Sequence, residues 1–332
     1  MERVEVAGVN ADPGRLLVVS DLHRAGAREQ ARRGFDDRVP APGIARFLAR
    51  SFRRYVWLAD PMAHNHRLGQ ILGRERDVTR VVANGDFSLD TAFVGVSDDA
   101  ALESASEALG ELRAIHGGAV RGVIGDHDLG KKSLVGGMGG PRWRSLERCE
   151  SELGLPRLWH EDFPGWRWVG ITSTLAAWPV FRAEGADGEL ARWDRAHREH
   201  LDAIDALFSE AASSGRRVIL FCHDPTALPF LARMEGVRRA LPDLGVTVIG
   251  HLHTPLVLRL GGWLAGAPRV SWAGHTVRRY TSALREARCW RDFRVVLCPS
   301  PSGIQLLKDG GYLVAPWPPQ GGELALERRM LG

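Results

Sequence analysis

The sequence predicts an α/β fold, on three observations. Short runs rich in Val, Ile and Leu recur along the chain, helical patterns lie between them, and several of the runs end in Asp, Asn or His. The runs are LLVVS (16–20), RVVAN (80–84), AVRGVI (119–124), WRWVGIT (166–172), VILFC (218–222), VTVIG (246–250), RVSWAG (269–274) and FRVVLC (293–298). Apolar runs this short and this rich in β-branched residues read as strands buried on both faces. Residues 98–115 and 189–213 carry helical patterns, and strands alternating with helices argue for an α/β arrangement. Late in the chain the strands follow one another, so a more mixed second half is expected.

The 332 residues are enough for one large domain. We expect that domain over 1–315, with an insertion at 42–74 between the first two strands and a Gly-rich loop at 130–140. The Pro/Gly-rich segment 316–332 reads as a C-terminal tail, an arm or partly disordered. Hydrophobic content of 44% and charged content of 25% are those of an ordinary globular protein. A net charge of +4 suits phosphorylated or anionic partners without demanding nucleic acid. Four cysteines without a CxxC pair exclude a disulfide scaffold and point to a reducing cytoplasm. The N-terminus lacks the layout of a signal peptide, and no stretch is long enough for a transmembrane segment. A cytoplasmic protein is therefore expected, with contact at a membrane surface left open.

Five segments place ligand-type side chains just past an apolar run. VVSDLHR gives Asp21 and His23, VVANGDFSLD gives Asp86, and GVIGDHDLG gives Asp126, His127 and Asp128. LFCHDP gives His223, and VIGHLHTP gives His251 and His253. Alternate residues of an extended segment project to one side, so Asp-x-His and His-x-His can aim two ligands at one spot. Mixed carboxylate and imidazole donors suit Mn, Fe or Zn better than Ca or Mg. Glycines at 85, 125 and 250 let the backbone turn tightly before the ligand. In open α/β sheets such residues collect beyond the carboxyl ends of the strands. Each segment alone is weak; five in series, each after a predicted strand, are hard to explain structurally.

The order D-x-H, GD, G-(N/D)-H-(D/E), H, GHxH resembles the calcineurin-like metallophosphoesterase superfamily, from about residue 15 to about 275. The resemblance implies a four-layer sandwich of two mixed β-sheets flanked by helices. It implies two divalent metal ions, manganese favoured and iron or zinc as alternatives. Asp21, His23 and His253 would bind one ion, Asp126, His223 and His251 the other, and Asp86 would bridge them. His127 would contact the phosphoryl group and protonate the leaving oxygen, with Asp128 orienting it. The nucleophile would be a hydroxide held by both ions. The reaction implied is hydrolysis of a phosphate mono- or diester or a pyrophosphate. The family usually has Asn where this chain has Asp126. The added carboxylate should tighten metal binding and weaken the electrophilicity of the second ion.

Two substrate classes fit: a lipid-linked phosphate, as in the UDP-diacylglucosamine pyrophosphatases, which differ at the position of His127, or a nucleotide or nucleic-acid end. A non-catalytic scaffold is the rival reading. Arg24 would reach a substrate phosphate or pair with a neighbouring carboxylate. Asp90 would hold its loop through backbone N–H groups. His64, Asn65 and His66 read as a solvated helix start rather than further ligands. Lys131 and Lys132 lie in the Gly-rich loop, which reads as a lid or as a surface loop. In the 42–60 helix, Ile44, Phe47, Leu48, Phe52, Tyr55 and Val56 form an apolar face. Arg46, Arg50 and Arg53 lie opposite, with Trp57 among them. That basic face would meet a lipid headgroup, a base or a partner, or Trp57 would pack near Leu68 and Ile71.

Overall fold

A computed structural model of the chain describes residues 14–35, 43–133, 137–253, 258, 266, 275–318 and 323–331. The strand expected at 269–274 and the centre of the Gly-rich loop lie outside these residues.

Among the described residues, two five-stranded sheets form the body. The first has the order β10-β9-β1-β2-β3, built from β1 (Gly14–Val19), β2 (Arg80–Asn84), β3 (Val120–Val123), β9 (Gly311–Trp317) and β10 (Glu327–Met330). The second runs β4-β5-β6-β7-β8, from β4 (Leu158–Phe163), β5 (Trp166–Ile171), β6 (Arg217–Cys222), β7 (Leu244–Ile249) and β8 (Val295–Leu297). β1, β2 and β3 are parallel, as are β5 to β8, while β9, β10 and β4 add antiparallel pairs. Both sheets are mixed, as expected.

The continuous apolar runs follow from the layering. One face of each strand meets the other sheet: Leu16, Val18, Val82, Ile219, Phe221, Val246 and Val248 form a core between the sheets. The alternate residues Leu17, Val19, Val81, Ala83, Val218, Leu220 and Cys222 face the helices. With both faces buried, neither can be polar.

The helices are α1 (Ala27–Gln30), α2 (Gly43–Tyr55), α3 (His66–Arg74), α4 (Asp99–His116), α5 (Asp126–Leu129) and α6 (Trp143–Ser151). They continue with α7 (Ser173–Ala176), α8 (Trp178–Phe181), α9 (Leu190–Ser213), α10 (Leu228–Leu231), α11 (Glu235–Ala240) and α12 (His275–Glu286). The helices read from the sequence at 42–60, 98–115 and 189–213 are α2, α4 and α9. Asp98 caps α4 by accepting from the Ala101 N–H, and Gly117 ends it at φ 56°. α9 buries Trp193, Ala196, His200, Ile204, Phe208 and Ala211, a stripe at three- and four-residue spacing. No helix among the described residues is long and apolar enough to cross a membrane.

The C-terminal segment departs from expectation. β9 carries through Trp317, and β10 pairs with it antiparallel, Glu327 opposite Val314 and Met330 opposite Gly311. Trp317 packs on Phe163, Trp166 and Trp168 of the second sheet, with ring centroids 4.8, 6.2 and 4.5 Å away. Among the described residues of this segment, 327–330 thus form an edge strand of the first sheet. The segment's prolines and glycines masked a four-residue strand whose partner is local.

His200 is fully buried, and that burial pushes its imidazole down to about 3 from the ordinary 6.5. Its folded value is depressed, so the unfolded chain takes a proton that the folded one refuses. This contribution is complete above pH 6.5 and is lost as pH falls towards 3, at up to about 1.4 kcal/mol per pH unit. His200→Leu should therefore show a smaller stability difference between pH 7.5 and 4.5 in denaturant titrations. An unchanged difference would reject His200 as the source.

Candidate metal centre

The ligand-type residues follow the carboxyl ends of five parallel strands. Asp21 and His23 follow β1, Asp86 follows β2, Asp126 follows β3, His223 follows β6, and His251 and His253 follow β7. Carboxylates therefore come mainly from the first sheet and imidazoles mainly from the second, and they meet where the two sheets end together.

Backbone hydrogen bonds hold the loops in register. Asp21 N–H donates to the Gly85 carbonyl, His23 N–H to that of Asp86, and Arg24 N–H to that of Phe87, at 3.0, 3.0 and 2.9 Å. Gly250 N–H donates to the His223 carbonyl at 2.9 Å, and the His251 N–H reaches both carboxylate oxygens of Asp21 at 3.1 Å. Asp21, His23, Asp86, His251 and His253 all have positive φ, between 43° and 59°. Non-glycine residues seldom sit there, and each costs about 1–3 kcal/mol where neighbours enforce it. Five together at one spot mark a site held against backbone preference.

The three glycines meet two different needs. Gly85 has φ 88° and needs the left-handed region. Gly125 and Gly250 are not in that region; they are glycine for lack of room. A Cβ on Gly125 would lie 2.2 Å from Asp86 Oδ1, and one on Gly250 would lie 1.9 Å from Ser20 Oγ and 2.6 Å from Asp21 Oδ2. Gly110 in α4 has nothing within 4 Å. Gly125→Ala should displace Asp86 and cost about 10²-fold in turnover with a lower metal content. Gly110→Ala should leave both intact and raise stability by about 0.5–1 kcal/mol. Equal effects on metal content in the two variants would refute the packing argument.

Among the described residues, ligand atoms converge in three overlapping groups, each within 4.8 Å: Asp86, Asp126, His223 and His251; Asp21, His23 and His253; and His23, Asp86 and His127. Asp86 Oδ2 lies 3.1 Å from His223 Nε2 and 3.9 Å from His23 Nε2, so it faces both halves of the site. Asp126 Oδ1 is 3.1 Å from His251 Nδ1 and 3.5 Å from His223 Nε2. His253 Nε2 is 3.3 Å from both Asp21 Oδ1 and His23 Nε2.

The donor set fits metal ions. His223 Nδ1–H donates to the Asn84 carbonyl at 2.7 Å, which leaves the buried Nε2 as the ligand atom, facing the carboxylates of Asp86 and Asp126 at 3.1 and 3.5 Å. Burial pushes the His223 imidazole down, but the carboxylates of Asp86 and Asp21 outweigh it and hold it well above its ordinary value. Buried anions in such excess call for cations. The family model of the calcineurin-like phosphoesterases matches residues 14–255. The chain belongs to that family. Among solved structures, a dimetal phosphatase from Danio rerio is similar, with a TM-score of 0.51 at 14% identity over 96% of this chain and 97% of that one. That likeness concerns the fold of this calcineurin-like chain alone. Comparison with curated proteins gives no match.

Around the centre, some side chains depart from expectation. Asp128 does not reach His127. Its carboxylate accepts from the backbone N–H groups of Asp86, Phe87 and Gly125 at 3.0, 2.9 and 2.8 Å, and so fixes the Asp86 loop. The one-turn helix α5 directs residue 128 back under that loop while His127 points into the site. His127 N–H donates to Asp86 Oδ1 at 2.9 Å, its ring lies 4.8 Å from that of His23, and burial pushes its imidazole down to about 3. Arg24 pairs with Glu107 and Glu111 of α4, at 2.8 and 2.5 Å, the carboxylate alternative. Asp90 accepts from the N–H groups of Val94, Gly95 and Lys131. Asn65 holds Ala25 through both its N–H and its carbonyl. In the Gly-rich loop, Gly140 N–H donates to the Phe93 carbonyl and Ser133 N–H to that of Met138, so its described ends are fastened.

Two residues near the centre carry no ligand motif. Trp57 lies with its ring 4.7 Å from His253. Arg279, in α12, donates to Asp126 Oδ2 at 2.6 Å. For the first, the sequence leaves open a contact with a headgroup, a base or a partner and packing near Leu68 and Ile71; the second lies beyond the last motif and gives no signal in the sequence.

Proposed function

We propose that this calcineurin-like chain is a metal-dependent hydrolase of a phosphate monoester, diester or pyrophosphate. The observation that carries the reading is the convergence of seven ligand-type side chains from five strand ends, with one Asp86 oxygen facing both halves. Asp21, His23 and His253 would hold one ion and Asp126, His223 and His251 the other, with Asp86 placed to serve both. Mn²⁺ suits this donor set, with iron or zinc as alternatives. Two cations there supply Lewis-acid polarisation of the phosphoryl group and an activated water. His127 presents its ring beside the bridging carboxylate and donates to the leaving oxygen. Burial pushes its imidazole down to about 3, so the donor role requires the arriving phosphate anion to raise its proton affinity. Asp128 keeps Asp86 in place through the backbone.

The favoured substrate is a lipid-linked phosphate. α2 turns its apolar face outward: Ile44, Phe47, Leu48 and Tyr55 are 79%, 68%, 61% and 65% exposed. The expected basic contact face is turned inward instead at Arg53, whose guanidinium lies over the Phe35 ring at 5.8 Å. Exposed Leu306 and Leu307 extend the patch, because Gln305 and Leu306 N–H groups donate to the Trp57 and Val56 carbonyls. Contiguous apolar surface of this kind suits an acyl chain or a membrane surface, and Trp57 links it to His253. Trp57 also supports a nucleotide as the second reading, by stacking a base. The test is hydrolysis of mono-, di- and pyrophosphate substrates, soluble and vesicle-borne, by chelator-stripped protein with and without Mn²⁺. Mn²⁺-dependent turnover with preference for vesicle-borne substrate is expected. Turnover confined to soluble nucleotides would reject the lipid reading. No turnover of any class by metal-loaded protein would leave the scaffold.

A further inference from the structure

We propose that Arg279 is a charge-compensating positioning residue, which occupies the outer oxygen of Asp126 so that this carboxylate serves the metal centre as a neutral, single-oxygen donor would. The inference rests on the metal assignment above.

The two oxygens of Asp126 have different surroundings. Oδ1 faces His251 and His223. Oδ2 faces away, with Arg279 Nη2 at 2.6 Å and Lys131 Nζ at 3.2 Å. The carboxylate is buried, and the Arg279 side chain is only 11% exposed. Bidentate use of Asp126 by a cation would need Oδ2, which is already engaged. What remains is one oxygen with much of its charge balanced, close to what an Asn carbonyl presents. The added anion expected to weaken the electrophilicity of the second ion is therefore opposed by two cations, Lys131 from the loop after α5 and Arg279 from α12.

Arg279 is fixed for this task. Its guanidinium lies over the Phe181 ring at 4.3 Å, which covers one face of the plane. Asp224 Oδ2 and Glu184 Oε2, both of buried residues, stand 3.7 and 3.9 Å from its nitrogens. The guanidinium thus lies among three buried carboxylates and is engaged with them. A direct phosphate contact suits Lys131 better, since it is half-buried and flanks the same oxygen.

The test is titration of chelator-stripped protein with Mn²⁺ by calorimetry, for wild type, D126N, R279M, R279K and the double variant D126N/R279M, with turnover measured alongside. Wild type is expected to take two ions. D126N leaves a buried guanidinium facing the second ion without its anion and should weaken that ion by about 10–100-fold. R279M frees Oδ2, so the second ion should bind more tightly while turnover falls. R279K keeps the charge and should stay near wild type. The double variant should return both affinity and turnover towards wild type, because a buried pair removed together costs far less than either half. If R279M does not fold alone, recovery of folding in the D126N background is the same rescue.

R279M that keeps wild-type affinity for both ions and raises only KM would make Arg279 a substrate contact and overturn the proposal. A double variant no better than D126N would overturn it too. Wild-type protein taking up fewer than two Mn²⁺ ions would remove the metal assignment itself, a failure distinct from unchanged affinities among variants of a two-ion protein.

Discussion

Asp86→Ala is expected to strip at least one ion from the protein and to bring turnover to the uncatalysed background. Three features concentrate the effect in this one carboxylate. Oδ2 faces His223 and His23, from opposite halves of the site, at 3.1 and 3.9 Å. Oδ1 accepts from the His127 N–H at 2.9 Å and so sets the start of α5, which carries Asp126 and His127. The backbone at Asp86 is left-handed, φ 59°, so its direction is imposed by the surrounding loops. Truncation to Ala removes both oxygens and leaves the imidazoles to share what remains. A phosphoesterase whose two ions act together has no partial route once the bridge is lost. Metal content by atomic emission, together with hydrolysis of an aryl phosphate, checks the expectation. Near-normal turnover in Asp86→Ala would sink the two-metal reading.

His127→Ala should keep both ions and still lose about 10²–10⁴-fold in rate, the range for a positioned proton donor. The ring lies close enough to the ligands to be counted with His23 and Asp86 as a possible ligand group, so metal content is the first measurement. The second is a leaving-group series. A donor to the leaving oxygen matters most for alkyl esters, which must be protonated, and least for activated aryl esters, which leave as anions. The loss should therefore shrink across that series. Equal losses for aryl and alkyl substrates, or loss of an ion, would reject the proton-donor role and favour ligation.

The two predictions draw on residues that stand in short motifs, and these were legible because the motif chemistry is local. A ligand directly past a parallel strand end is fixed by the strand and by two or three loop residues. Asp21, His23, Asp86, Asp126, His223, His251 and His253 could thus be found without knowing how the sheets pack. The same holds for α4 and α9, whose stripes have helical period, and for the strands buried on both faces.

Other features were decided between segments far apart in sequence. The direction of Asp128 depends on the turn of α5 relative to the Asp86 loop, more than 40 residues earlier. β10 pairs with its neighbour β9, but β9 is itself placed by pairing with β1, at the other end of the chain, and by the Trp317 cluster on the second sheet. Which face of α2 points outward is set by the surface beneath it, and helical period alone gives the two faces but not their direction.

By itself, the sequence determined the α/β class, the family and the ligand-type residues that follow the strand ends, because strand burial and loop motifs are encoded within a few neighbouring residues. Only the tertiary structure decided that five of those ligand-type residues are held in left-handed backbone and that Trp57 meets His253. It also decided that Asp126 carries Arg279 on its outer oxygen, across 153 residues of chain. The physical reason is that charge balance and ring contact depend on distances in space, and a buried carboxylate is completed by whichever cation the packing of the helices brings to it.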